Sequence, residues 1–231
     1  LTGDLYKAGQ YLERNPTYHV EDSAWKAHQI LRMLEKHRVE PMRVCEVGCG
    51  AGEILAQLQT LLATGTRFDG FDVSPVALEL SASRANEHLT FYCEDFTERE
   101  CEPYDLLLCI DVFEHVEDYI GFLRKLRGKA KYKIFHIPLE MSVSCVLRVS
   151  TIRNARNNAG HLHYFCKDTA LLTLRDAGYE VIDVQYTGSG TDLARTVKSR
   201  VASIPRRLAR ALAPDLGVRI FGGYSLLVLA S

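Results

Sequence analysis

Three features of this 231-residue chain predict an α/β fold on a mostly parallel sheet. Short apolar runs of strand length alternate with longer segments whose apolar residues recur at helical spacing. The first run, Val44, Cys45 and Val47 around Glu46, opens into a turn with glycines at 48, 50 and 52. A later run, Leu106 to Ile110, is apolar without interruption, as a strand covered on both faces requires.

In chain order, residues 1–40 precede this pattern. Tyr6, Tyr11, Pro16, Tyr18, His19 and Trp25 crowd there, and residues 24–37 read as an amphipathic helix. After the first strand, Ile54, Leu55, Leu58, Leu61 and Leu62 mark a second helix. Strand, glycine turn and helix in that order present backbone N–H groups to a ligand. Glycine lets the chain turn sharply and a ligand lie on bare backbone. The spacing is G-x-G-x-G, and Glu53 stands where a dinucleotide-binding G-x-G-x-x-G has its third glycine, which disfavours hydride transfer.

Residues 67–72 form a second strand ending in Asp72, then Val73, a capping Ser74 and Pro75 at the first helical position. An acid at that strand end can accept hydrogen bonds from both ribose hydroxyls of a nucleoside. Asp69 is the competitor, but it lies inside the strand. A third strand over 89–93 ends in Glu94-Asp95-Phe96, where a solvated acidic loop is the alternative. The fourth, over 104–110, stops at Asp111 and gives Val112-Phe113-Glu114-His115-Val116.

A helix over 116–126 and a fifth strand over 132–137 follow, with His136 near the strand end. Residues 139–160 lack a strand pattern and carry Arg148, Arg153 and Arg156. An insertion after the fifth strand sits where open α/β sheets bind ligands. Beyond Gly160-His161-Leu162-His163-Tyr164-Phe165 come a helix from Asp168 and strands over 180–185 and 222–229. The long connection 188–221 interleaves Arg195, Lys198, Arg200, Arg206, Arg207 and Arg210 with Leu193, Val197, Val201 and Ile204. That basic amphipathic pattern over 195–210 fits peripheral membrane contact, phosphate contact, or a helix packed on the sheet.

The formal net charge of −1 argues against a nucleic-acid-coating surface. Seven cysteines make no C-x-x-C pair and no secreted framework, so a reducing cytoplasm is the expected compartment. No run reaches the roughly 18 apolar residues of a membrane span. The opening Leu-Thr-Gly-Asp-Leu-Tyr has neither the basic nor the apolar region of a signal peptide.

The glycine turn with Glu46, the strand-end Asp72, Asp95-Phe96 and the phrase Y-D-L-L-L-C-I-D-V-F-E-H-V together resemble the class I S-adenosylmethionine (SAM)-dependent methyltransferases. The last phrase is similar to the fourth motif of ubiquinone-biosynthesis O-methyltransferases, and the likeness covers most of residues 43–187. It implies a Rossmann-like three-layer sandwich whose seven-stranded, mostly parallel sheet ends in an antiparallel C-terminal hairpin strand. It also implies an N-terminal helical or lid segment over 1–40 and a SAM-binding domain over 41–231 with insertions at 139–160 and 188–221. By the same resemblance, Glu46, Gly48, Cys49, Gly50 and Gly52 hold the methionyl part of SAM. Asp72 and Val73 lie at the ribose and Asp95 and Phe96 at the adenine, while Ile110, Asp111 and His115 close around the sulfonium.

Methyl transfer from a sulfonium is an in-line displacement that needs positioning, plus a base if the acceptor is a hydroxyl. Histidine suits that role near neutral pH. His115, His136, His161 and His163 fall near the expected cleft, and His115 and His136 are the leading catalytic candidates. Asp111-x-x-Glu114-His115 with His161 resembles the E-x-x-E-H…H arrangement of Mg²⁺-dependent small-RNA 2′-O-methyltransferases. With a shorter Asp in first place, the expectation is a packing motif and no metal. The expected reaction is O-methylation of a small molecule or a sugar or glycan hydroxyl, with nucleic acid not expected as a partner. RNA 2′-O-methylation and a non-catalytic SAM-binding regulator are the alternatives.

Overall fold

A computed structural model of the chain describes residues 20–188, 208, 209 and 211–231. Residues 1–19 of the expected N-terminal helical or lid segment, and most of the basic connection (189–207 and 210), lie outside the described residues.

Seven strands form one sheet: β1 (Arg43–Val47), β2 (Arg67–Asp72), β3 (Leu89–Cys93), β4 (Tyr104–Ile110), β5 (Ala130–Leu139), β6 (Val181–Thr187) and β7 (Tyr224–Ala230), in the order β3-β2-β1-β4-β5-β7-β6. The pairs from β3 through β5 are parallel, and β7 runs antiparallel to both β5 and β6. The mostly parallel sheet with a reversed C-terminal strand is therefore as expected. Helices α1 (Ser23–His37) and α2 (Glu53–Leu61) lie against one face. There Ile30, Met33, Leu55 and Leu58 meet Phe68, Leu106, Leu108 and Ile134. On the other face α4 (Tyr119–Leu126) and α7 (Lys167–Asp176) bring Leu123 and Leu174 against Leu107, Cys109 and Phe135. Alternate residues of β4 thus feed opposite cores, which is why its sequence is an unbroken apolar run.

Between these, α3 (Pro75–Ser81) starts at Ser74, whose hydroxyl accepts from the Ala77 N–H at 3.4 Å. The sequence pattern extended α4 too far toward the N-terminus. Residues 113–115 form a separate 3₁₀ turn, and the helix begins only after Asp118, whose carboxylate accepts from the Gly121 N–H at 2.9 Å. β5 is longer than expected because its last residues, Pro138 and Leu139, continue the pairing with Ser225 and Tyr224. The insertion after it folds as two short helices, α5 (Val143–Leu147) and α6 (Ser150–Asn154), and a wide π-type turn over Ala155–Ala159. The last helix, α8 (Pro214–Phe221), leads into β7.

The glycine turn is fixed by close packing of loop against sheet. Gly52 caps α2 at φ +75°, and a Cβ there would meet the Phe91 ring at 2.4 Å. Gly128 has nothing within 4 Å of such a Cβ. Gly52→Ala should therefore cost about 1–3 kcal/mol through strain and overpacking, while Gly128→Ala should be near neutral. Urea denaturation of the two variants checks this, and equal midpoints would show that Phe91 moves aside freely.

Candidate functional site

The carboxyl ends of β1, β2, β4 and β5 border a cavity of about 770 Å³. Its wall contains Glu46, Gly48, Cys49, Gly50, Asp72, Val73, Asp95, Phe96, Ile110, Asp111, His115 and His136. Gly52 stands behind the loop against Phe91. Glu53, in the place of a third glycine, pairs with Arg84 at 2.6 Å and also reaches the wall.

Gly48, Gly50 and Gly52 all have positive φ, at 71°, 53° and 75°. A side chain at Gly48 would also collide with Val112, at 2.6 Å. The expectation that the loop presents its N–H groups to a ligand is largely overturned. Gly48 and Cys49 both donate to the Phe71 carbonyl, at 2.7 and 3.1 Å, and Gly52 donates to the Cys49 carbonyl at 2.9 Å. Gly50 donates to Asp72 Oδ2 at 2.9 Å. The loop is held to β2 by the groups it was expected to offer outward.

Asp72 Oδ1 also accepts from the Ser74 N–H, at 2.9 Å. Burial raises its carboxyl above the usual range, against the pull of these backbone donors. Glu46 is 2 % exposed, and its Oε2 has no hydrogen-bond partner among the described residues. Burial pushes Glu46 well up, opposed by the Lys26 charge and reinforced by Asp72. Asp95 is turned to a local task, its Oδ1 accepting from the Thr97 N–H at 2.9 Å. The Phe96 ring is almost wholly buried, packed on Phe71 with centroids 4.5 Å apart. Val73 is 45 % exposed at the rim.

Asp111 follows β4 with φ +55°, outside the usual range for a residue other than glycine. One carboxylate oxygen lies 2.6 Å from His136 Nδ1, and the other lies 3.0 Å from Lys26 Nζ on α1. Lys26 also pairs with Asp22, at 3.1 Å. Burial raises the Asp111 carboxyl, but the His136 and Lys26 charges outweigh it and hold the group far below the usual carboxylate range. Burial likewise opposes the Lys26 charge, and the two aspartates keep it protonated.

The four histidines are in different situations. His136 Nε2 is bound to Thr187 Oγ1 at 2.9 Å, so both ring nitrogens of this buried residue are engaged. His163 Nε2 meets the Val116 carbonyl at 2.9 Å. His161 Nδ1 lies 3.0 Å from the Glu140 carboxylate, and its ring stands edge-on to His115 with centroids 4.7 Å apart. Burial, with the neighbouring His161 charge, lowers the His115 pKa to about 4, so this imidazole is neutral at physiological pH. Beneath it Glu114 is fully buried, and neither carboxylate oxygen receives a hydrogen bond from another described residue. Ligand atoms of Glu114, His115 and His161 lie within 4.8 Å of one another, a grouping that could hold a metal ion.

A family model described as "Methyltransferase domain" matches residues 19–184, more than half of the chain. The chain belongs to the methyltransferase-domain family. Its strand order and the order of its motifs are those expected from the resemblance to the class I SAM-dependent methyltransferases. It is 29 % identical over 104 residues to malonyl-[acyl-carrier protein] O-methyltransferase of Bacillus cereus, covering 43 % of this chain and 38 % of that one. The match to ubiquinone biosynthesis O-methyltransferase of Pseudomonas savastanoi pv. phaseolicola is 28 % over 156 residues, 62 % of this chain and 66 % of that one. The chain thus spans well under half of the first relative and about two thirds of the second. Among solved structures, magnesium protoporphyrin IX methyltransferase from Synechocystis PCC 6803 shares the fold with a TM-score of 0.61 at 16 % identity, over 90 % of this chain and 82 % of that one. No described helix is long and apolar enough to cross a membrane.

Sequence reasoning on this methyltransferase missed Lys26, Asp22 and Glu140. Lys26 reads as one polar residue of an amphipathic helix, and nothing local ties it to Asp111. Glu140 lies in the insertion expected to face a ligand, but no local pattern there singles it out.

The burial of Glu46 has a pH signature. A carboxyl raised in the folded state gives its full contribution below the ordinary carboxylate range and loses it as pH rises toward the folded value. Glu46→Gln removes that loss. In ligand-free protein, the melting temperature of the variant relative to wild type should become more positive from about pH 5 to about pH 8. A pH-independent difference, followed by circular dichroism, would show that Glu46 is not raised.

Proposed function

We propose that the chain transfers the methyl group of SAM to a hydroxyl oxygen of a small molecule or sugar unit. The observation that carries this reading is a cavity in which acids from three neighbouring strands of the sheet, Glu46, Asp72 and Asp111, stand beside the His115–His161 wall. The described residues fit SAM on one point in particular: Glu46 Oε2 is a buried, unpartnered acceptor in that wall, suited to an amino-acid ammonium.

In this reading Asp72 keeps lone pairs for ribose hydroxyls beyond the two backbone donors it serves, and Val73 covers an edge of the nucleoside. Asp95 and Phe96 border the adenine end, with Gly48, Cys49, Gly50 and Gly52 shaping the methionyl end and Ile110 closing the floor. SAM supplies a sulfonium methyl, so the acceptor oxygen gains an O–CH₃ bond as the C–S bond breaks. The acceptor hydroxyl proton passes to the His115–His161 pair, with Glu140 holding the His161 ring. His136, with both nitrogens engaged, positions Asp111 instead of acting as base. The O-methyltransferases among the relatives support an oxygen acceptor.

Calorimetry with S-adenosylhomocysteine, repeated with NAD, tests the cofactor assignment: only the former should bind. Asp72→Ala should weaken that binding by about 1–3 kcal/mol. His115→Ala and His161→Ala should lower turnover of an accepted hydroxyl more than they lower cofactor affinity. No affinity for S-adenosylhomocysteine would overturn the reading.

A second reading is favoured by the Glu114–His115–His161 grouping. These residues would hold a divalent cation that acts as a Lewis acid on the acceptor oxygen. Mn²⁺ followed by electron paramagnetic resonance should then bind the wild type and be lost in Glu114→Gln. Equal Mn²⁺ binding by both would reject this site.

A further inference from the structure

We propose that Lys26 receives the carboxylate of the cofactor's amino-acid end, which makes helix α1 part of the cofactor site. This rests on the SAM reading above. The amino-acid end of SAM carries an ammonium and a carboxylate, and the second needs a donor or a positive charge. The cavity wall is rich in acids, among them Glu46, Asp72, Asp111 and Glu114, and Lys26 is its only lysine or arginine among the described residues. Asp111 is held in its charged form there, so an anion beside it without a counter-charge would be repelled.

The usual source of donors is already committed. The N–H groups of Gly48, Cys49, Gly50 and Gly52 serve Phe71, Asp72 and Cys49. Lys26 has capacity: an ammonium has three donors, and its named partners are Asp111 at 3.0 Å and Asp22 at 3.1 Å. Lys26 lines the same cavity as Glu46, the acid proposed for the ammonium, and its charge opposes the burial that raises that acid. The two aspartates differ. Asp111 is fixed from behind by His136, whereas the Asp22 pair is a local i,i+4 contact at the start of α1. Ligand binding therefore exchanges Asp22 for the incoming carboxylate, and the Asp111 contact persists.

The test is calorimetric titration of two matched ligands, S-adenosylhomocysteine and its decarboxylated analogue S-adenosyl-3-thiopropylamine, into wild type, Lys26→Met and Asp22→Asn. Lys26→Met should lower affinity for S-adenosylhomocysteine by about tenfold or more and leave the amine's affinity unchanged or raised. Asp22→Asn removes the competitor without removing the lysine, and should raise affinity for S-adenosylhomocysteine relative to the amine. Should Lys26→Met fail to fold, the Asp22→Asn ratio decides alone. Parallel losses for both ligands in Lys26→Met, or an unchanged ratio in Asp22→Asn, would overturn the assignment. If wild type bound the amine and S-adenosylhomocysteine but neither variant shifted their ratio, only Lys26 would be rejected. Binding of neither ligand to wild type would instead remove the SAM reading and this assignment with it.

Discussion

The Asp111 carboxylate is the point at which separate parts of the chain are held in register around the cavity. β4 ends there in a left-handed turn, a conformation that costs most residues about 1–2 kcal/mol and that Asp tolerates better than most. The turn is held by the Asp111 N–H donating to the His136 carbonyl at 2.9 Å, and by the carboxylate reaching His136 on one side and Lys26 on the other. His136 passes the connection to Thr187 of β6, whose hydroxyl also lies 3.3 Å from the Ser225 carbonyl of β7. One polar network thus links α1, β4, β5, β6 and β7 beneath the cavity. Breaking a fully buried ion pair costs about 3–5 kcal/mol, and here the cost is smaller because the Asp111 side chain remains 29 % exposed.

That network explains the division between what the residues announced and what they concealed. The parallel sheet was legible because burial on both faces leaves an unbroken apolar run, as in Leu106 to Cys109, and because Ser74-Pro75 caps a helix by local chemistry. The start of α4 was not, since Val116 continues the apolar spacing while the cap at Asp118 decides where the helix begins. Local rules carry elements well and boundaries poorly.

The site divides along the same line. Strand-end acids could be placed from sequence because topology alone puts the ends of β1, β2 and β4 together. What each acid does there depends on partners far away in the chain. Glu46 and Glu114 are buried, with carboxylate oxygens that receive no hydrogen bond from another described residue, whereas Asp95 serves the adjacent turn. The histidines show the limit most clearly. His115 follows β4 and His136 lies within the adjacent β5, and both line the cavity, yet one is a neutral ring and the other is bound at both nitrogens. No spacing rule separates them, because the difference is made by Thr187 and Asp111 on one side and by His161 on the other.

On the proposed reading, the sign of the cavity's charge also sets the direction of the cycle. An acid-lined pocket stabilises a cationic sulfonium more than the neutral thioether left after transfer, because Coulomb attraction is lost with the charge while the rest of the ligand is unchanged. The product therefore leaves a pocket that prefers the incoming cofactor. This preference would cost binding of the amino-acid carboxylate unless one positive group stood within the acids. A single lysine tied to Asp111 meets that need without neutralising the reacting end. Its place on α1, outside the strand-end motifs, means that cofactor selectivity depends on an element that motif reading treats only as packing.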